Sequence, residues 1–335
     1  MRLDKKYLAL GAAALGALAL SLSATSEQSA QLHEHNNDRA IATQVFGGLQ
    51  EDSGAVEFSY YGNMAFEIVS PQGVKIFIDP WRNDKTGMFP PWFMRDMPIV
   101  RTDIGLITHA HYDHDAIERL RADMVFDRMA GEFTHGDVKI TGIADKHVCE
   151  TQGDFAYREP VKWYLGDDPC PPGEKLQWNN SVYVIETGGL RILHWGDNRQ
   201  NPSQHVWDLI GDIDVAILAI SDEGHILSKY WANQVMEQTK ANVVIPSHYY
   251  VPGVHIAGVY GLKTADEWTA EHEHTLLDSA VLKLTPEMVE PLNHHVMYFG
   301  PHVAFPTEYP ETPPGSEFPV PDPAEAWRRF NPRSD

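Results

Sequence analysis

The stretch "IGLITHAHYDHD" at residues 104–115 determines the expected fold of this 335-residue chain. An apolar run is followed at once by four metal-ligating side chains: His109, His111, Asp113 and His114. Imidazole and carboxylate groups bind zinc and similar divalent ions, and residues two positions apart at a strand end can turn toward a common point. Helix or strand periodicity gives no reason to bring four such residues together. We therefore predict a metal-binding loop at the end of a buried strand.

Strand and helix patterns alternate on both sides of this loop. "AVEFSYYGNMAFEIVS" and "GVKIFIDP" are typical of strands joined by a turn, and "SVYVIETGGLRILHWGDN" is typical of a hairpin. "IDVAILAI" and "ANVVIPSHYY" indicate buried strands, with a helix over "SKYWANQVMEQTK" between them. Helices are also predicted over "DAIERLRADM", from the spacing of Ile117, Leu120 and Met124, and over "TADEWTAEHEHTLLDSA". This order predicts a layered α/β domain.

The first residues have the layout of an export signal. Within residues 1–24, Arg2, Lys5 and Lys6 precede a run rich in alanine and leucine. This arrangement predicts a signal peptide that is cleaved near Ala24. We therefore expect a periplasmic or secreted protein that has no membrane contact after cleavage.

The rest of the chain divides by composition. Residues 25–52 are a polar lead-in that we expect to be loosely docked, and residues 53–304 are the expected domain. Within the domain, residues 150–180 form a candidate lid loop rich in proline and glycine. Residues 305–335 form a proline-rich arm that we expect to extend over its own subunit or a neighbouring one, which makes a homodimer plausible.

Composition excludes some classes of partner. The formal net charge is −21, so the chain would repel a phosphate backbone, and nucleic acid is a poor substrate candidate. Cys149 and Cys170 are too few for a disulfide framework or a thiolate zinc site. They leave open either one disulfide or two buried thiols.

The motif T-H-x-H-x-D-H, here "THAHYDH", resembles the signature of the metallo-β-lactamase-fold hydrolases. The similarity covers roughly residues 58–250 and includes "YYGNMAFEIVSPQGVKIFIDPW", "LRILHWGDN" and "ANVVIPSHYY". These segments look like the branch that includes ascorbate-6-phosphate lactonase, and the chain is also similar to chlorothalonil hydrolytic dehalogenase. The resemblance implies a four-layer αββα sandwich with its metals at one edge between the two sheets.

The resemblance also implies a set of metal ligands. One ion would be held by His109, His111 and a third histidine, and the other by Asp113, His114 and His248, with Asp197 between the two. The implied cofactor is zinc, as one or two ions, with manganese or iron as alternatives.

Two further positions follow from the same resemblance. His147 is the expected third histidine, because it follows a strand-like run, and His135 and His194 are its rivals. Asp79 matches the buried structural acid of the family.

These ligands imply hydrolytic chemistry, because a divalent cation makes hydroxide available from water at neutral pH. Asp113 and His111 are the predicted catalytic residues. The side chains expected to line the substrate pocket are Trp81, Trp195, His225 and Trp231. We expect an exported metal-dependent hydrolase of a small molecule, with hydrolytic dehalogenation of a chlorinated aromatic as the specific prediction. The alternatives are a lactonase or phosphodiesterase of the same fold and a zinc-binding protein without catalysis.

Overall fold

The structure is a computed structural model and describes residues 38–87, 89–147 and 179–305. These residues form one six-stranded and one eight-stranded β-sheet. The strands are β1 (Val56–Tyr60), β2 (Phe66–Val69), β3 (Lys75–Ile78), β4 (Val100–Ile107), β5 (Leu120–Asp127), β6 (Gly131–His135), β7 (Val138–Asp145), β8 (Asn180–Thr187), β9 (Leu190–His194), β10 (Val215–Ala219), β11 (Val243–Ser247), β12 (His274–Leu276), β13 (Val281–Leu284) and β14 (His295–Tyr298).

The strand order brings several strand ends to common edges. The six-stranded sheet has the order β13-β1-β2-β3-β4-β5, and the eight-stranded sheet has the order β12-β14-β11-β10-β9-β8-β7-β6. Strands β3, β4 and β5 are parallel, and so are β9, β10 and β11. Strand β7 runs in the same direction as β9, because each is antiparallel to β8. The carboxyl ends of β7, β9, β10 and β11 therefore meet at one edge of the larger sheet.

A single core lies between the two sheets. Phe66 on β2 contacts His194 on β9 with ring centroids 6.4 Å apart, and Tyr60 on β1 contacts Tyr249 after β11 at 5.6 Å. Every residue of β10 and β11 is buried, which explains their nearly continuous apolar sequences. The predicted α/β class with two packed sheets is confirmed, as are the hairpin of β8 and β9 and the buried strands β10 and β11.

Helices cover part of the eight-stranded sheet. The helices are α1 (Asp38–Phe46), α2 (Gln204–Ile210), α3 (Lys229–Thr239), α4 (Asp266–Ala270) and α5 (Pro286–Val289), and there are short 3₁₀ turns at Ile117–Arg119 and Val259–Gly261. Helix α2 contacts β7 and α3, and α3 contacts β10. Helix α3 lies where the sequence predicts it, and the Ser228 hydroxyl accepts the Trp231 N–H at its start.

The predicted helix over "DAIERLRADM" is wrong. Only the turn Ile117–Arg119 is helical, and β5 follows it directly. Leu120 pairs with Val100, and Met124 pairs with Ile104, in a parallel ladder with β4. Pairing with a neighbouring strand outweighs the local spacing, because tertiary contacts override a weak helix propensity.

The helix predicted over "TADEWTAEHEHTLLDSA" is shorter than expected. Helix α4 ends at Ala270, and the chain continues into the exposed edge strand β12. Strand β12 pairs in parallel with β14, so that His274 lies opposite Val296 and Leu276 lies opposite Tyr298. Backbone pairing with β14 therefore extends a segment whose spacing alone favours a helix.

Part of the predicted lead-in is anchored to the domain. Residues 38–46 form α1, and Arg39 donates to both oxygens of the buried Asp103, at 2.5 and 2.9 Å. Thr43 is buried on the same helix. A buried carboxylate requires a paired cation, so the expectation of loose docking does not hold for these residues.

Several predictions lie outside the described residues. They concern the signal peptide, the candidate lid loop apart from its last two residues, the two cysteines, and the arm beyond Phe305. Among the described ranges, no helix is both long and apolar enough to span a bilayer.

Candidate metal centre

The predicted ligands follow the ends of several strands. Their positions are Asp79 directly after β3, the histidine loop after β4, His147 after β7, Asp197 after β9 and His248 after β11. Isolated backbone bridges join His109 to Asn180 and His147 to Asn198. The first bridge fastens the histidine loop of the six-stranded sheet to the edge of the eight-stranded sheet.

Asp79 is buried and orients two of the histidines. Its Oδ1 accepts the backbone N–H of Thr108 at 2.8 Å, and its Oδ2 accepts the Thr108 hydroxyl at 2.7 Å. His114 Nδ1 lies 2.9 Å from the same Oδ2, and His109 Nδ1 lies 3.0 Å from the Thr108 hydroxyl oxygen. A ring that donates from Nδ1 keeps its Nε2 lone pair for a metal. The geometry therefore supports the structural role predicted for Asp79.

A first group of ligand atoms comes from three histidines. His109, His111 and His147 each offer a nitrogen, and these nitrogens lie within 4.8 Å of one another. The two rivals of His147 lie elsewhere. His194 is in the core, where its Nε2 lies 2.9 Å from a backbone oxygen, and His135 is on the edge strand β6. The structure thus brings His147 to the position expected for the third histidine.

A second group contains two histidines and two carboxylates. His114 Nε2 lies 3.3 Å from the Oδ2 atoms of both Asp113 and Asp197. His248 Nε2 lies 3.5 Å from the same two oxygens. Two ligands of one tetrahedral zinc ion, each about 2.0–2.1 Å from it, are roughly 3.3–3.4 Å apart. The ligand atoms of Asp113, His114 and His248 lie within 4.8 Å of one another, and those of His109, His114 and Asp197 form a second such group. The spacing therefore fits an ion held by Asp113, His114 and His248, with Asp197 between it and His109.

Burial and neighbouring charges set the protonation of these groups. Burial lowers the pKa of His109 well below its ordinary value and, together with a neighbouring histidine, lowers the pKa of His111 to about 3. Burial opposes the ionisation of Asp113, but the charge of His114 outweighs it and holds the pKa of this carboxyl well below its usual range. The pKa of Asp197 is lowered for the same reason. Burial opposes the protonation of His114 and His248, but the charge of Asp197 outweighs it and raises the pKa of both rings. Because neutral imidazoles and ionised carboxylates are the states that bind a metal, a bound metal would displace a proton from each of these two histidines.

Three atoms of these groups lack a hydrogen-bond partner. His114 Nε2, His248 Nε2 and Asp197 Oδ1 are buried and have no hydrogen-bond partner among the residues that the structure describes. The carboxylates of Asp79 and Asp113 are buried beside them. Buried carboxylates and unpaired polar atoms are costly unless a cation compensates them. The residues present therefore fit a divalent cation.

Sequence reasoning missed the polar residues that hold the ligands in place. Asn63 donates to the backbone oxygen of Asp113 at 3.0 Å and accepts the backbone N–H of His248 at 2.8 Å. Asn198 is fully buried and donates to Asp145 Oδ2 at 2.9 Å. Their only signal in the sequence is proximity to strand ends, because their partners lie far away in the chain.

The residues predicted to line the pocket occupy different environments. Trp81 and Trp195 are fully buried, and the indole N–H of each donates to a backbone oxygen. Such burial does not fit the predicted role of lining an accessible pocket. Trp231 lies on α3 and packs against the neighbouring tyrosine. His225 is the member of this set whose ring contacts a predicted ligand.

His225 is buried beside the second ligand group. Its ring stacks on His248 with centroids 5.5 Å apart, and burial lowers its pKa to about 4. Trp92 contacts both rings, at 5.5 Å from His225 and 5.9 Å from His248. Sequence reasoning did not assign Trp92 to the site, because this residue lies in a loop outside every motif.

Comparison with known sequences is consistent with this site. A family model described as the beta-lactamase superfamily domain matches residues 57–248, which include all seven predicted metal ligands. A UPF0173 metal-dependent hydrolase of Thermococcus onnurineus is 31% identical over 204 residues, which cover 58% of this chain and 84% of that protein. A UPF0173 metal-dependent hydrolase of Polynucleobacter asymbioticus is 36% identical over 245 residues, with 62% and 81% covered.

A solved structure shares the fold. The crystal structure of a Thermotoga maritima protein of the metallo-beta-lactamase superfamily aligns with a TM-score of 0.50 and 21% sequence identity. The alignment covers 72% of this chain and 98% of that chain. At this identity the likeness shows the fold alone, and it supports the two-sheet arrangement described above.

Proposed function

Since this chain belongs to the beta-lactamase superfamily and to its UPF0173 metal-dependent hydrolase family, we propose that it hydrolyses a small organic molecule at the candidate metal centre. The observation that carries the proposal is the spacing of four buried ligand atoms. The Nε2 atoms of His114 and His248 lie 3.3–3.5 Å from the Oδ2 atoms of Asp113 and Asp197. The ligand atoms of Asp113, His114 and His248 also lie within 4.8 Å of one another, so these three suit one divalent ion, and Asp197 lies beside them.

The proposed ligands are those of the sequence-based prediction. Asp113, His114 and His248 would hold one ion and His109, His111 and His147 would hold the other, with Asp197 between the two groups. Zinc is the proposed metal, since imidazole and carboxylate ligands suit it, and manganese or iron are the alternatives. When bound, such a cation lowers the pKa of water from about 15.7 toward about 7 and supplies hydroxide at neutral pH.

The side chains supply orientation and a proton acceptor. Asp113 and Asp197 are held ionised by the neighbouring histidines. Asp197 Oδ1 has no hydrogen-bond partner within the described part of the chain, so this atom is available to accept a proton from water. His111 is half-buried, whereas His109 is buried. We therefore place His111 on the side of the centre that the substrate approaches.

Three hydrolytic reactions are candidates: dehalogenation, lactone hydrolysis and phosphodiester hydrolysis. The resemblance to chlorothalonil hydrolytic dehalogenase favours displacement of chloride from a chlorinated aromatic by water. The resemblance to the lactonase branch makes lactone or phosphodiester hydrolysis the alternative. A zinc-binding protein without catalysis is the candidate from a different class. The paired carboxylates argue against it, because storage of an ion does not require an acid placed to accept a proton.

The experiment combines metal analysis with a substrate panel. Purified protein is loaded with zinc, assayed for metal content, and tested with a chlorinated aromatic nitrile, a lactone, a phosphodiester and a chromogenic β-lactam. We expect one class to be hydrolysed and activity to disappear on chelation. Asp197→Ala and His248→Ala should lose both metal and activity, whereas His205→Ala, at an exposed position on α2, should retain both.

The outcomes separate the two classes. Full metal content without turnover of any substrate would support the binding protein and refute the hydrolase. Wild-type metal content in both ligand variants would refute the ligand assignment. Export is part of the proposal as well, and N-terminal sequencing of protein recovered from the periplasm or medium tests cleavage near Ala24.

A further inference from the structure

Four aromatic side chains form a collar beside the candidate metal centre. The collar consists of Phe89, Trp92, Tyr112 and Tyr260. The Trp92 ring lies 5.3 Å from Tyr260 and 6.4 Å from Tyr112, and Tyr112 lies 5.7 Å from Phe89. Phe89 is 41% exposed and Tyr260 is 45% exposed, so the collar reaches from solvent to the buried Trp92. Exposed large aromatic side chains that converge on a buried site mark a binding surface.

Trp92 connects this collar to the ligands. Its ring is T-shaped to both His248, at 5.9 Å, and His225, at 5.5 Å. The position is fixed by the backbone, because Asn83 Oδ1 accepts the Trp92 N–H at 3.0 Å and Ile256 donates to the Trp92 carbonyl at 2.8 Å. A group held against the collar would therefore lie next to the proposed reaction centre.

Tyr260 is held against Trp92 by an unusual backbone. Its φ is 47°, in the left-handed region that non-glycine residues seldom adopt, and it lies between Gly258 at φ 76° and Gly261 at φ 75°. Such conformations are unfavourable and tend to persist where function requires the side chain they present. The strained turn is a second observation, independent of the ring contacts, that points to Tyr260 as a functional side chain.

The charges near the collar indicate which ligands it accepts. Each of the three cationic side chains in residues 80–99 already has a partner: Arg82 with Asp115 at 2.7 Å, Lys85 with Glu118 at 2.5 Å, and Arg95 over the ring of Phe305 at 5.6 Å. Within the described part of this loop every cationic side chain therefore has a partner, so an anionic group of a substrate would be neutralised by the metal centre and not by the collar. Phosphate and carboxylate groups are usually recognised by arginine or lysine.

We infer that the collar binds an uncharged aromatic ring of the substrate and holds the substrate's reactive atom at the metal centre. This inference rests on the proposed function and adds to it the chemical class of the substrate and the residues that select it. Stacking and edge-to-face contacts with Trp92 and Tyr260 provide the selectivity, because aromatic pairs gain energy beyond the apolar area they bury. Phe89 and Tyr112 extend the same surface toward solvent.

The experiment compares two probes that share a metal-binding group. Benzohydroxamate and acetohydroxamate present the same chelating atoms, and only the first carries a ring. Their dissociation constants are measured by calorimetry with zinc-loaded protein. We expect benzohydroxamate to bind at least about tenfold more tightly, as expected for burial of a phenyl group against aromatic side chains. Tyr260→Leu should reduce this preference about threefold or more, and Tyr260→Phe should retain it.

A matched control removes a tyrosine from elsewhere. Tyr230→Leu, at a position 63% exposed on α3, should leave the preference unchanged. Equal binding of the two probes in the wild type, or an unchanged preference in Tyr260→Leu, would overturn the inference while leaving the hydrolase proposal intact. Failure of zinc-loaded protein to bind either hydroxamate would show that the bound ion has no position open to a ligand, and it would refute both the hydrolase proposal and the inference.

Discussion

Replacement of Asp79 by asparagine tests how the metal ligands are oriented. Asp79 Oδ2 accepts from the Thr108 hydroxyl at 2.7 Å and from His114 Nδ1 at 2.9 Å, while Oδ1 accepts the Thr108 N–H at 2.8 Å. An asparagine can accept at only one of its two terminal atoms. It tolerates the backbone φ of 50° at this position, so the substitution should affect hydrogen bonds and not the backbone.

The asparagine has two orientations, and each has a cost. If the asparagine nitrogen takes the place of Oδ2, it donates to His114 Nδ1 and to the Thr108 hydroxyl oxygen. The Thr108 hydroxyl hydrogen is then free to be donated to His109 Nδ1. Both imidazoles then carry hydrogen on Nε2, where the metal should bind. If the amide is reversed, its nitrogen faces the Thr108 N–H and leaves a buried donor unpaired, at about 1–3 kcal/mol. The substitution therefore weakens either metal binding or the fold.

Weaker metal binding in Asp79→Asn should lower the stability of the metal-loaded protein by a measurable amount. Loss of a residue that orients a metal ligand lowers affinity about 10- to 100-fold. At a metal concentration of about 100 times the wild-type dissociation constant, bound metal stabilises the wild type by about 2.7 kcal/mol. The same metal concentration stabilises the variant by about 1.4 kcal/mol if its affinity is about 10-fold lower, and by about 0.4 kcal/mol if it is about 100-fold lower. The melting temperature of the loaded protein should fall by roughly 3–9 °C.

The assay pairs thermal melting with competition against a chromophoric chelator. Asp115→Asn is the matched control, since Asp115 lies in the same loop but pairs with Arg82 at 2.7 Å and does not touch the ligand rings. We expect the control to bind metal as the wild type does. Wild-type metal affinity together with wild-type stability in Asp79→Asn would refute the reasoning.

Two further substitutions test the supports of the centre. Gly196 has φ 58°, and the Cβ added in Gly196→Ala would lie 2.8 Å from the Cβ of Thr108. The free energy of unfolding, measured with urea, should therefore fall by about 2–5 kcal/mol. A fall below about 1 kcal/mol would contradict the close approach. Asn198→Ala removes an amide that donates to Asp145 at 2.9 Å and accepts from Asn180 at 3.0 Å. Two buried polar groups lose a partner, and we expect a loss of about 2–5 kcal/mol, with unchanged stability as the contradicting result.

The sequence was sufficient where ligands follow apolar strands. Asp197 and His248 each come a few residues at most after a run of buried residues, and parallel strands must bring such positions to a common edge. His147 could be chosen only provisionally, because three histidines have comparable surroundings in the sequence. The choice between them depends on strand direction and sheet order, which no local pattern contains.

Other features could not be read from local patterns. The spacing of Leu120 and Met124 is compatible with a helix and also with a strand. Pairing of this segment with β4 makes it a strand. Trp195 lies two residues before Asp197 but packs in the core against Trp207, at 5.5 Å, because Gly196, at φ 58°, turns the chain between them. Trp92 reaches the ligands from a loop that is distant from them in sequence. Contacts of this kind depend on tertiary structure.

Backbone strain gives the centre a further property. Three non-glycine residues around it have positive φ: Asn63 at 54°, Asp79 at 50° and His248 at 57°. Such conformations persist only when surrounding contacts determine them. Here the His248 N–H bonds the Asn63 carbonyl at 2.8 Å, and the Asp79 N–H bonds a backbone oxygen of β4 at 3.0 Å. Because backbone hydrogen bonds from both sheets fix these residues, the fold itself positions the ligands, and the metal binds donors that are already in place.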